Sequence, residues 1–201
     1  MAIAVASPLK AADLAGLYVT DQMEMAGALE LRGDGRFRYQ FDYGAVSESA
    51  EGGWAAKGQK VELTSEPMPK APDFALVRDE PAPNGKLFVA VEDAGFSWSP
   101  MRVQVALEGV KEPVELHAGG DGQVIVPQGR RATSVSMMVP VYGVAGTPVV
   151  LGAGRGHRLL FRLEANDIGK AAFRAEPVVI DGTSLVMKRY DTTIVFRRAG
   201  Q

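Results

Sequence analysis

The chain holds two histidines and no cysteine. Cysteine nucleophiles, zinc-thiolate sites, iron–sulfur clusters and disulfide frameworks are therefore excluded. The run Gly152-Ala153-Gly154-Arg155-Gly156-His157 comes after an apolar strand, as a dinucleotide loop does when its glycines let the backbone approach a pyrophosphate. His157 stands where the third glycine belongs. The residues after His157 alternate like a strand and do not open a helix whose N-terminus could hold phosphate. The run reads as a loop. Gly95-Phe96-Ser97-Trp98-Ser99 departs from the nucleophile elbow in the same way, with Ser99 at the second glycine and no helix after it. Nothing local ties His117 or His157 to an activated serine, so no catalytic residue is assigned.

Glu48 with Glu51, and Glu112 with Glu115, are the residue type for general acid and base work on a glycoside. Sequence spacing does not set the separation across a cleft, and both pairs sit in polar, loop-like or strand-edge segments, so they read as solvated charge. Met23-Glu24-Met25 and Met137-Met138 offer soft thioethers of the kind that select Cu(I), with His117 or His157 to complete a site. Flexible methionines more commonly fill a core. No metal and no cofactor are expected.

The elements that must position these residues come from a chain of 201 residues, 46% hydrophobic and 23% charged, enough for one large β domain or two small ones. The formal net charge of −2 gives no pull toward nucleic acid. No apolar run approaches the roughly 20 residues of a membrane helix. Met1–Ser7 carries no basic stretch ahead of its small apolar residues. No signal peptide is visible there, and one already removed would place the protein in the periplasm or outside the cell.

Its 23 glycines and 12 prolines lie mainly between short alternating runs, as in sheet proteins. Leu29 and Leu31 lead through Gly33-Asp34-Gly35 into Phe37, Tyr39, Phe41 and Tyr43, which alternate with charged or polar residues. This predicts a hairpin with one aromatic face inward. Trp54 and Val61–Leu63 continue the meander. The proline-rich stretch from Pro67 to Pro83 reads as a boundary. After it, residues 87–91, 101–107, 114–117, 123–126, 134–139 and 149–151 predict short strands spaced as in a sandwich. Leu159, Phe161 and Leu163 then alternate again, and a last hairpin turns at Asp181-Gly182. One helix is expected, started by Ser7 and Pro8 and running to Leu14. Residues 1–150 carry 13 basic and 19 acidic side chains, and residues 151–201 carry 9 and 5. That asymmetry favours pairing of C-terminal strands with N-terminal ones.

A short helix followed by Gly16-Leu17-Tyr18, the aromatic hairpin, Gly53-Trp54 and Val61–Leu63 resembles the lipocalin-like barrel proteins, whose first strand often carries Gly-x-Trp. Tyr18 stands here in place of that Trp. The middle block, with Val89–Gly95, Met101–Leu107 and Asp121–Pro127, resembles transthyretin-like and carboxypeptidase-regulatory β-sandwiches. The chain also resembles lipocalin-like envelope lipoproteins of copper homeostasis, without a counterpart of their cysteine pair. Together these readings give an all-β fold: a lipocalin-like barrel or half-barrel built from residues 1–80 and 152–201, with a β-sandwich inserted at 84–151.

The expected function is binding without catalysis, by an envelope or secreted protein that takes a small apolar ligand or a protein partner. An eight-stranded barrel can enclose one small ligand. Tyr18, Phe37, Tyr39, Phe41, Tyr43 and Trp54 would line it. The same aromatic row could simply fill the core. Two further classes stay open. One is a hydrolase using His157 and a carboxylate between the two halves. The other is an assembly module pairing through exposed sheet edges.

Overall fold

A computed structural model describes residues 11–92 and 102–200. The helix start at Ser7, the leader region Met1–Ser7, Met101 and the Gly95–Ser99 segment lie outside the described residues. The described chain begins with one helical turn, α1 (Ala11–Leu14), then β1 (Gly16–Gln22), β2 (Met25–Leu31), β3 (Arg36–Tyr43), β4 (Val46–Lys57) and β5 (Lys60–Ser65). Next come β6 (Asp73–Ala82), β7 (Leu87–Val91), β8 (Arg102–Leu107), β9 (Val114–Leu116), β10 (Gln123–Val124) and β11 (Ala132–Val139). The rest are β12 (Val144–Ala145), β13 (Val149–Val150), β14 (Gly156–Glu164), β15 (Glu176–Asp181), β16 (Ser184–Arg189) and β17 (Thr192–Arg198). No described helix is long and apolar enough to cross a membrane.

Contacts divide the chain into two compact units, Met1–Pro69 with Gly169–Gln201, and Lys70–Ile168. The first is an eight-stranded closed barrel in the order β1-β17-β16-β15-β5-β4-β3-β2, with every pairing antiparallel. Full closure settles the choice between barrel and half-barrel. It depends on the chain ends meeting as their charges suggested, with Tyr18 opposite Arg198 and Val61 opposite Val178. Alternation fixes the faces. On β3 the rings of Phe37, Tyr39 and Phe41 point inward, while Arg38, Gln40 and Asp42 point to solvent. The turn before β3 is set by Asp34, whose carboxylate accepts the Arg36 N–H at 2.9 Å, and by Gly35 at φ 80°.

The second unit stacks a sheet of order β10-β7-β14-β6 on one of order β12-β11-β8-β9, with β13 on β11. Its core, including Val89, Val105, Val135, Leu159 and Phe161, is distinct from that of the barrel. Two expectations are corrected here. The Pro67–Pro83 stretch does hold a division between the units, at Pro69, but it is no plain loop, because residues 73–82 form β6. Pro81 is tolerated within it since β6 is an edge strand, with one side free of ladder bonds. Residues 156–164, expected in the barrel, pair with β6 antiparallel and with β7 parallel. Alternation reports that one face of a strand is buried; it carries no information on which core buries it. The crossings between units therefore fall at Pro69 and Ile168, outside the limits of 84 and 151 read from sequence.

Candidate functional site

The six residues expected to line a ligand cavity all lie in or at the margin of the barrel core. Phe37, Tyr39 and Phe41 are at most 1% exposed, and Tyr18 and Trp54 are also buried. Tyr43 is half-buried at the core margin. The rings pack on one another, with Tyr39 edge-on to Phe173 at 5.1 Å and 6.2 Å from Phe41. Polar tips find partners. The Trp54 indole N–H donates to the Arg32 carbonyl at 2.9 Å, and the Tyr18 hydroxyl to the Leu14 carbonyl at 2.9 Å. Arg198 covers the Tyr18 ring and donates to the Asp13 and Ala15 carbonyls, so α1 is fastened over that end of the barrel.

At the opposite end sits a buried acid that spacing alone misread. Glu48 and Glu51 are three residues apart on β4, so they face opposite sides, Glu48 inward and Glu51 outward. The Glu48 carboxylate accepts the Tyr39 hydroxyl at 2.8 Å and the Tyr190 hydroxyl at 2.5 Å. It also accepts two guanidinium N–H groups of Arg189, at 2.6 and 2.7 Å. Burial, then the charge of Glu48, pushes the Tyr39 phenol well above its usual range. Burial and the hydrogen bond to Glu48 push Tyr190 up to about 12. Burial works against the Arg189 charge, but the bonds and charge of Glu48 outweigh it and raise the guanidinium above its ordinary value. Every acceptor position is occupied by a donor from the chain itself, which makes this cluster a clamp closing the barrel.

In the sandwich, a cavity of about 540 Å³ lies between the sheets. Val89, Val103, Leu116 and Met137 wall it, and His117, Arg102 and Asp121 supply polar groups. The Gly119–Gly122 turn forms one side, held to β7 by the Val89 N–H donating to the Gly122 carbonyl at 2.8 Å. Gly122 takes φ 80°, and a Cβ there would meet the Val89 carbonyl oxygen at 2.8 Å. Only glycine gives this turn its close approach. No local pattern in the sequence signals that this turn would border a cavity. No family model, curated protein or solved structure matches the chain. The site must be read from its own geometry.

The other sequence candidates separate. Met23 is 90% exposed on the β1–β2 turn, and Met25 packs at the barrel-core margin. Met137 is buried, and Met138 points to the other face of β11. No three His, Asp or Glu side chains cluster as a metal set among the described residues. Glu112 is exposed, and Glu115 pairs with Arg102 at 3.2 Å. His157 is buried and does meet a carboxylate, its Nδ1 lying 2.9 Å from Asp79 Oδ2. Its Nε2 lies 2.9 Å from the Gly152 carbonyl oxygen. With both ring nitrogens facing acceptors, neither is free to take a proton from a nucleophile. The imidazole instead ties the 152–154 turn to β6, which explains the glycine-rich run as a held loop.

Proposed function

We propose that this is a non-catalytic binding protein in which the barrel is a packed scaffold and the sandwich takes a small, largely apolar ligand. The observation that carries the reading is the 540 Å³ cavity walled by Val89, Val103, Leu116 and Met137. Its size falls within the roughly 300–1,000 Å³ of small-molecule sites, and apolar walls with a few polar groups are the usual chemistry of such sites. His117 at the lining suits a ligand with one polar end. The lipocalin-like resemblance gains support from the closed eight-stranded meander and from the helical turn fastened over Tyr18. An envelope or secreted setting belongs to the same proposal.

The test uses methyl-labelled methionine and a fluorescent apolar anion such as anilinonaphthalene sulfonate. Met137 lines the cavity and Met187 lies in the barrel core. Saturable binding that shifts the Met137 methyl resonance and leaves Met187 in place is the expected result. A shift of Met187 alone would return the ligand to the barrel, and absence of saturable binding would end the proposal.

A further inference from the structure

At the other end of the sandwich, where β7, β11 and β14 begin, a second pocket of about 240 Å³ carries a different chemistry. Four cationic side chains line it: Lys86, Arg130, Arg131 and Arg155. The segments that form it, 84–87, 126–132 and 151–157, contain no acidic residue. Two carboxylates reach these cations from outside the lining. Glu108 takes Arg131 through both of its oxygens at 3.1 and 3.2 Å, and Asp79 takes Arg155 at 2.6 Å together with His157. Lys86 has no ion-pair partner among the described residues. Among the described residues the Arg130 side chain has only the Glu108 backbone carbonyl, at 3.4 Å. Two positive charges thus line one small pocket with no carboxylate paired to them among the described residues.

The backbone seats the Lys86 turn against the start of β14, beside Arg155. Gly156 opens β14 where a Cβ would lie 2.0 Å from the Pro83 carbonyl oxygen and 2.6 Å from that of Lys86. No other residue lets the Pro83–Lys86 turn rest on this strand. The His157 N–H then donates to the Lys86 carbonyl at 2.9 Å, fixing Lys86 next to Arg155. His157 Nε2 holds the Gly152 carbonyl from below. With its backbone groups bonded within the fold, the pocket offers an anion its cationic side chains.

We propose that this pocket binds a phosphomonoester dianion, with Lys86 and Arg130 as the two charge-bearing contacts. A dianion matches the two uncompensated cations. Guanidinium and ammonium are the donors that recognise phosphate oxygens, Arg by its planar fork and Lys as a point charge. The volume admits the phosphate and a few further heavy atoms. The site is separate from the apolar cavity, so the two readings stand or fall independently.

The experiment measures binding of phenyl phosphate to the full chain by calorimetry at fixed ionic strength, with a parallel flotation assay on vesicles containing phosphatidate. Variants are Lys86→Ala, Arg130→Ala and, as a charge-matched control on the barrel surface, Lys188→Ala. All three side chains are exposed, and an unchanged thermal midpoint verifies the fold. Each of the first two variants should weaken phenyl phosphate about tenfold or more, as loss of a charged hydrogen bond does. Lys188→Ala should leave it unchanged. Vesicle binding lost in the same two variants would identify a lipid headgroup as the source, and binding of phenyl phosphate alone a soluble ester. Equal effects of all three variants, or no binding in either assay, would overturn the proposal.

Discussion

Tyr190 illustrates how one side chain can be forced into an unfavourable backbone. The β16–β17 hairpin has a two-residue turn, Tyr190-Asp191, at φ 52° and 54°. Left-handed backbone is common for Asn, Asp and Gly and costly for a ring-bearing residue. Tyr190 is held there by its hydroxyl on Glu48 at 2.5 Å and by its ring lying parallel to Phe41, 6.2 Å away. Sequence reading had Glu48 but no signal for its partners, because Arg189 and Tyr190 lie 141 and 142 residues away. The phenol titration gives a direct check. Tyr190 ionises in the unfolded chain near 10.0 and in the folded protein near 12. Its contribution to stability is thus complete below pH 10 and declines as pH rises from 10 to 12, because only the unfolded state releases the proton there. Tyr39, also raised, acts in the same direction. Near-ultraviolet titration of folded wild type and Tyr190→Phe should differ by one phenol at the upper end of that window. A missing phenol that titrates near 10.0 instead would show that the clamp does not form in solution.

Individual strands were legible to different degrees. β3 could be read outright, since four aromatics alternate with polar residues after an Asp-Gly turn, and the structure places them as read. β14 could be recognised as a strand but not assigned to a core, because Leu159, Phe161 and Leu163 would suit either unit. β6 was hidden by Pro81, which only the edge of a sheet accommodates. The cavity and the cationic pocket depend on turns from distant segments meeting, a relation no local pattern encodes. The packing of β3 also decides between scaffold and ligand chamber for the barrel. Tyr39→Ala should destabilise the protein by about 3–5 kcal/mol, the cost of deleting a large ring from a filled core. Tyr39→Phe, which keeps the ring and removes one donor from the Glu48 carboxylate, should cost about 1.5–3 kcal/mol. Denaturant titration of both reads the difference. A loss for Tyr39→Ala no larger than for Tyr39→Phe would mean the ring stands in open space, and the barrel would again be the place to seek a ligand.

On the scale of the molecule, the chain leaves a barrel after β5, builds a complete sandwich, and returns to the barrel with β15. Each unit has its own apolar core, and within the sandwich unit the outgoing and returning segments are joined side by side. The Lys70 N–H donates to Asp167 Oδ2 at 2.9 Å, and the Asp167 N–H to the Lys70 carbonyl at 3.2 Å. An insertion whose two crossings are neighbours leaves its host with little loop entropy to add when it is removed. A fragment of residues 70–168, and a chain joining Pro69 to Gly169 through a short glycine linker, should therefore each unfold cooperatively with a sheet-dominated circular dichroism spectrum. The pair also locates function, because the proposed apolar cavity and the cationic pocket are lined wholly by residues of the sandwich. The apolar probe and phenyl phosphate should bind the 70–168 fragment as they bind the full chain and leave the joined barrel untouched. If the fragment folds and binds neither while the full chain binds both, the ligand sites need residues of the barrel, and assignment of the barrel as scaffold fails with them.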